Sequence, residues 1–274
     1  MIKFILLFSI VLFSTMPCFA QPNCEAFKYY GDTLKYKACK VAETAHKHYQ
    51  FSREFQAIMD RAIAIDPTFD YAYSEKSVAY LKSGDFLGWK PLIDKAVSLN
   101  PRGNLGYRGW CRYQFFRDYR GAIADIERLD SLMDSNIGFS VNGDYHLNIA
   151  KALCYKAIGK KNKAIDIIEQ QLKEPQHELG LYDYLHLGVL YLENQEWDKA
   201  IQLFQLQSQR NELAENQYYL GLAYKNLGQP DAQQKALQKA LDLYDKERRM
   251  FDPYTAHMDK IYRADIEQAL STFK

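Results

Sequence analysis

The sequence predicts an all-α protein, an array of helix-turn-helix repeats, on three observations. Pro67 and Pro101 stand 34 residues apart, each after a polar residue (Asp66, Asn100) that closes an amphipathic run of the same design. Phe55, Met59, Ala62 and Ile63 make the first run, and Trp89, Ile93, Ala96 and Val97 the second. Further on, Tyr184, Leu187, Gly188 and Tyr191 recur at i, i+3, i+4 and i+7, one face of a helix, before the turn Asn194-Gln195-Glu196. Self-similarity at such a period marks helical pairs that bury their apolar faces only against one another. Arrays of this kind ordinarily present a surface to a partner, so the sequence names a class of function and leaves the partner open.

Taken in order, the chain begins with an address. Lys3 supplies a positive charge, Phe4 to Phe13 is apolar apart from Ser9, and Ser14 to Ala20 reads as a cleavage region. Basic, apolar and small-residue parts in that order predict a signal peptide over 1–20, cleaved after Ala20. Its apolar part holds about ten residues, roughly half of what a membrane-spanning helix needs. Lipid anchoring at Cys18 is the alternative, but Thr15-Met16-Pro17 lacks the Leu and small residues of a bacterial lipobox. The mature chain is expected in the periplasm or outside the cell, without a transmembrane segment. Residues 21–35 read as an N-terminal cap segment.

The repeats follow over 36–245. The first unit, Tyr36 to Phe69, is weak in its leading helix and recognisable from Phe55 onward. The second carries Tyr73, Ser77, Tyr80, Gly84, Phe86, Trp89 and Ile93. The third, around Gly109 to Leu132, is one residue long between Gly109 and Ala122, which predicts an irregular turn near Arg117. The fourth contains Ala152, Tyr155, Gly159, Ala164, Ile165 and Ile168. The fifth, Leu181 to Leu213, is clearest, its second helix bearing Trp197, Ala200, Ile201 and Phe204. The sixth repeats the theme with Leu220-Gly221, Tyr224, Gly228, Leu237 and Ala240. Gly188 and Ala200 let two backbones approach, where a large side chain would overpack the contact at roughly 1–3 kcal/mol. Asp252-Pro253 then looks like a helix start. With the stripe Met258, Ile261, Tyr262, Ile266, Ala269, Leu270 and Phe273, it predicts a C-terminal capping helix within 246–274.

The fifth unit's order of aromatic, Leu-Gly, Tyr, turn, aromatic, Ala and Phe resembles the tetratricopeptide repeat. The resemblance covers about six units over 36–245 and departs at Trp89, where that family usually has Ala. It implies a right-handed α-solenoid, a superhelix whose concave groove binds another protein or an extended peptide. In that family the inner surface is lined by the strip of each first helix turned away from the second helix. Here the strip would be Lys40 in the first unit, then Tyr71, Ser74 and Lys82, then Trp110, Tyr113 and Gln114. It would continue with His146 and Lys156, with Tyr182 and Glu193, and with Glu215, Tyr218, Lys225 and Asn226. Tyr and Trp suit such a role because they offer large contact area with few torsions to freeze. The alternative reading of the strip is packing between neighbouring first helices, above all for Val78, Leu153, Val189 and Leu222. The carboxylate clamp of chaperone-binding members needs Lys and Asn one turn apart in the first repeat. Here Lys40 is followed by Thr44, so that activity is not carried over. A second class of function is an accessory subunit of a cell-envelope (outer-membrane) assembly.

Composition narrows the field further. Apolar content of 47% and charged content of 25% are those of an ordinary globular chain, with no case for extensive disorder. Thirty-five basic against 34 acidic side chains leave no basic excess for phosphate contacts, so nucleic acid is not the expected partner. Of the cysteines outside the leader, Cys24 and Cys39 suit a local disulfide in an exported chain. Cys111 and Cys154 fall on consecutive first helices, about 8–10 Å apart when packed. A disulfide wants Cα atoms within about 7 Å, so these two read as buried thiols. No catalytic constellation emerges: His46 and His48 face different sides of a helix, HExxH and CxxC are missing, and no GxSxG frames a serine. Neither an enzyme, a metal nor a cofactor is expected.

Overall fold

The computed structural model describes residues 22–134 and 136–273. The leader expected over 1–20, with Cys18, lies outside them. The described chain is all-helical; among the described residues extended pairing is limited to one isolated bridge, between Phe139 and His146. No described helix is long and apolar enough to cross a membrane. The chain divides into two compact units between Glu75 and Lys76.

The first unit holds α1 (Cys24–Tyr29), α2 (Thr33–Glu43), α3 (Arg53–Ile65) and the beginning of α4 (Asp70–Lys82). Side chains cap the longer helices: Asp32 accepts from Lys35 N at 3.0 Å, and Ser52 from Phe55 N at 3.1 Å. The apolar face read from Phe55 onward is buried, with Met59, Ala62, Ala38, Ala42 and Phe69 in one core. Asp66-Pro67 makes the turn out of α3, and Asp66 accepts from Thr68 N at 2.8 Å. A disulfide joins Cys24 on α1 to Cys39 on α2, their Cα atoms 5.5 Å apart.

The second unit continues with α5 (Phe86–Leu99), α6 (Pro101–Cys111), α7 (Tyr119–Leu132), α8 (Leu147–Ala157) and α9 (Lys161–Lys173). It ends with α10 (Asp183–Glu193), α11 (Trp197–Arg210), α12 (Ala214–Asn226), α13 (Pro230–Asp245) and α14 (Arg263–Leu270). From α5 on, each helix packs on the next in chain order, α14 on α13 included although a long segment joins the two. In addition α6 meets α8, α8 meets α10, and α10 meets α12. That is the neighbour pattern of an α-solenoid, with first helices forming one layer and second helices the other. Small residues set the spacing within each pair. A Cβ on Gly188 would come within 2.6 Å of the Phe204 ring, and one on Gly221 within 3.0 Å of Leu237.

Two irregularities have local causes. The extra residue of the third hairpin is absorbed by a π-helical turn over Arg112–Phe116, closed by Arg117 at φ 55°. Trp89, large where a small residue was expected, is buried with its ring stacked 4.6 Å from Phe116 of that turn. The C-terminal expectation needs correction, because no helix starts at Asp252-Pro253. Asp252 does accept cap-like bonds from Tyr254 N and Thr255 N, both at 2.8 Å. The chain then stays irregular through Asp259, whose φ of 62° no helix contains. Helix resumes at Arg263 as α14, with Ile266 buried beside Ala214, Ala240, Leu243 and Ile261. The capping position against α13 is thus taken by eight helical residues, not by the whole of 246–274.

Candidate functional site

The irregular segment 250–261, here called the strap, lies against the first-helix layer of the second unit. From Thr255 to Asp259 its contacts follow the array from the end of α6 to α10. Gln114 Nε2 donates to Thr255 Oγ1 at 2.5 Å, and Arg117 donates to the Ala256 carbonyl. The Tyr145 hydroxyl meets His257 Nδ1 at 3.1 Å, while His257 Nε2 reaches the Phe251 carbonyl at 3.2 Å. Asp259 is held from both sides, by Lys156 Nζ at 2.6 Å and by His186 Nδ1 at 2.7 Å. Both ends of the strap lie at α12, where Glu215 accepts from Met250 N at 3.1 Å and Ile261 packs beside Ala214. Met250 and Ile261 are the apolar anchors, both buried.

The receptor side is tied down independently of the strap. Lys156 also pairs with Glu193 at 3.1 Å, and His186 Nε2 meets the Tyr145 hydroxyl at 3.2 Å. The Tyr145 ring lies 5.4 to 5.8 Å from Trp110, Tyr182 and His186, an aromatic nest into which the strap's His257 fits at 5.8 Å. Burial pushes the Asp259 carboxyl up, but Lys156 and His186 outweigh it and hold its pKa below the ordinary carboxylate value. Burial likewise lowers the His257 imidazole, and it raises the Glu215 carboxyl against the backbone bonds that oppose it.

Among the described residues, two groups of potential metal ligands occur, and both are accounted for by other bonds. Asp144, Asp252 and His257 bring ligand atoms within 4.8 Å of one another. Yet both ring nitrogens of His257 are engaged, and Asp252 closes its own turn. In the first unit, Cys24 and Cys39 stand near Glu43 but are bonded to each other. A polar recess of about 580 Å³ opens elsewhere, between Asp130, Asn136, His146, Lys151 and Gln171.

Two family models for the tetratricopeptide repeat match the chain, over residues 184–206 and 214–247. These are α10 with most of α11, and α12 with α13, the hairpins whose Gly188 and Gly221 contacts are described above. The chain carries tetratricopeptide repeats. Among solved structures, PilW, described as a widely conserved type IV pilus biogenesis factor, aligns at TM-score 0.60 and 15% identity. That alignment covers 78% of this chain and 94% of PilW. PilF of Pseudomonas aeruginosa gives 0.59 and 16%, covering 78% and 93%. YrrB, described as a tetratricopeptide protein with an unusual peptide-binding site, gives 0.52 and 16%, covering 68% and 92%. At these identities the likeness is one of fold. No curated protein sequence matches the chain.

Within the tetratricopeptide array the expected strip is not an open surface. Trp110 and Tyr113 are core rings, Tyr182 is buried against His257, and Gln114 and Lys156 are bonded to the strap. Lys82 is exposed and sits over the Tyr254 ring at 5.4 Å. His146 goes elsewhere: it caps α8, bonds Asn136 at 2.6 Å and lines the polar recess, burial lowering its pKa to about 4. Tyr218 packs beside the cluster under α14, while Lys225 and Asn226 are exposed. In the first unit Lys40 is exposed and paired with Glu43, Tyr71 lies half-buried against Phe69, and Ser74 is partly buried. Leu153 and Val189 are buried, so for them the packing alternative is the one observed.

Sequence reasoning missed Tyr145, His186, Arg117 and the strap residues Thr255, His257 and Asp259. His186 was reachable, standing four residues after Tyr182 on the same strip. Tyr145 precedes α8 in a loop, where no periodicity points to it.

Proposed function

We propose that the chain is an exported scaffold that binds another protein, through an extended segment, along the first-helix strip of its second unit. The observation that carries this reading is that the strip already accommodates a non-helical stretch, residues 250–261, by side-chain bonds spread from Gln114 to Glu215. Recognition of that kind is what a stacked-helix array provides, since each hairpin contributes a contact at a fixed interval. The shared fold with YrrB points the same way. Lys156, His186, His257 and Asp259, gathered at the strip, are engaged in structural bonds, which supports an adaptor rather than an enzyme. Export rests on the leader features of 1–20 and on the Cys24–Cys39 disulfide, a bond that persists in oxidising compartments.

The test is site-specific photo-crosslinking in the producing cells. A photoreactive residue at Tyr254, exposed at the strap's edge, should capture a partner, whereas one at exposed Lys235 on α13 should not. Capture from Lys235 alone would contradict inner-strip binding. Mass spectrometry of the purified chain should find Gln21 as its first residue, and retention of 1–20 would contradict export.

The second reading, an accessory subunit of a cell-envelope assembly, is favoured by one surface feature. Tyr29 and Tyr30 in the first unit are 84% and 81% exposed, and Tyr49 stacks on Phe51 in solvent at 5.2 Å. The shared fold with PilW and PilF is in keeping with it. Co-sedimentation with membranes in a large complex supports this reading; a soluble monomer by light scattering supports the first.

A further inference from the structure

Resting on inner-strip binding as proposed above, we infer that the strap is a built-in stand-in for the partner. The partner's segment is then acidic, and it displaces the strap by placing a carboxylate between Lys156 and His186. Three observations carry this.

The receptor for the carboxylate is complete without the strap. Lys156 on α8 and His186 on α10 each grip one oxygen of Asp259, at 2.6 and 2.7 Å. Their remaining bonds, to Glu193 and to the Tyr145 hydroxyl, come from the array itself. With Asp259 withdrawn, a cation and an imidazole stay aimed at one point, as recognition of a planar carboxylate demands.

The strap fits imperfectly. Gln114 Oε1, Glu215 Oε1 and the Tyr113 hydroxyl are buried along this strip and meet no partner. A buried polar atom left unmet is a penalty that a better-matched segment would relieve. Asp259 itself sits at φ 62°, a left-handed conformation that disfavours residues other than glycine. A competing chain with a different backbone path avoids that strain.

The strap is also accessible to a competitor. Phe251, Tyr254 and Tyr262 along and just beyond it are exposed, so its outer edge faces solvent while Met250 and Ile261 anchor its ends. Between those anchors its attachment is polar: Thr255, the Ala256 carbonyl, His257 and Asp259. Polar attachment of an irregular segment can be exchanged bond for bond, unlike an apolar core.

The probe is a fluorescein-labelled peptide of residues 251–262, in the native form and carrying Asp259→Asn, titrated by anisotropy into the full chain. Three full chains are compared: wild type, Asp259→Asn, and Asp259→Asn with Lys156→Ala. The Asp259→Asn chain should bind the native peptide at least tenfold more tightly than wild type does, because its own strap competes less. That chain should prefer the native peptide over the Asp259→Asn peptide by tenfold or more, and adding Lys156→Ala should erase the preference. Equal binding of both peptides, or no binding, by a folded Asp259→Asn chain overturns the inference. Should that chain fail to fold, hydrogen exchange on wild type with excess native peptide decides. Loss of protection confined to 251–261 supports displacement, and unchanged protection overturns it. If crosslinking from Tyr254 captures a partner while the peptides show no carboxylate preference, inner-strip binding stands and this inference alone falls.

Discussion

At Gly188 the whole side-chain allowance is a hydrogen atom, because the Phe204 ring lies 2.6 Å from where a Cβ would stand. Gly188→Ala is therefore expected to cost roughly 1–3 kcal/mol by overpacking, read from chemical denaturation, although alanine is the better helix former. A gain in stability would mean the α10–α11 contact is looser than described. Trp110 makes the opposite case, a large ring 2% exposed and wedged against Tyr113 and Tyr145. Trp110→Ala should remove about 3–5 kcal/mol, as for other buried aromatics, where a docking residue on an open face would leave the melting point unchanged.

Histidine burial gives a third residue-scale expectation. His257 faces the Tyr145 hydroxyl, the Tyr182 ring, His186, Asp252, Asp144 and Lys260, and burial lowers its pKa from the ordinary 6.5. The unfolded chain takes up a proton near pH 6.5 and the folded chain only at lower pH. Stability therefore falls as pH drops below 6.5 and levels off below the folded value. His146, lowered to about 4, adds a decline of the same sign. Asp259, held low, contributes only above its unfolded value near 3.8 and loses that contribution as pH falls further. The melting temperature should thus drop between pH 7 and pH 5, and His257→Gln should shrink the drop without abolishing it. A flat profile would contradict the burial of both imidazoles.

At the scale of elements, the hairpins were legible and the segment joining them to α14 was not. Periodicity found α10 and α11 through Tyr184, Leu187, Gly188, Tyr191, Trp197, Ala200 and Phe204, because those residues are in register with 3.6 residues per turn. The extra residue before Ala122 pointed to the turn that became π-helical at Arg112–Phe116. Asp252-Pro253 misled, because an N-cap signal reports only local bonding. Asp252 made those local bonds, but Thr255, His257 and Asp259 found partners more than a hundred residues away for the most part, which no local pattern encodes. The same holds for the strip: Tyr182 and Lys156 were placed on the right helices, but whether they faced solvent depended on a segment distant in sequence. The disulfide allows an element-scale test in the first unit. Cys24→Ser with Cys39→Ser opens a link spanning 15 residues, and should cost about 2–4 kcal/mol of that unit's stability. Faster amide exchange in α1 and α2 would register it, and unchanged exchange would show that the bond contributes nothing to holding them.

At the scale of the molecule, the second unit is an array of helical hairpins, two of them matched by tetratricopeptide models, whose first-helix layer is covered by its own strap. The contacts across that layer are ionic and hydrogen-bonded, spread over α6 to α12, so the strap reads the array as a bound segment would. This explains why the strip combines aromatic rings that support the core with a few polar groups, Gln114, Lys156 and Glu215, whose bonds leave the helices. Removing one partner of a buried ion pair costs about 3 kcal/mol or more when the other is stranded. Lys156→Ala should therefore release Asp259 and with it the strap, sparing the hairpins.

Hydrogen exchange of the full chain, wild type against Lys156→Ala, examines the seating of the strap most directly. Residues 251–261 should be protected in the wild type and lose that protection in Lys156→Ala, while α8 to α13 keep theirs. Unprotected exchange of 251–261 in the wild type, at the rate of a free peptide, would show that the strap does not sit on the strip.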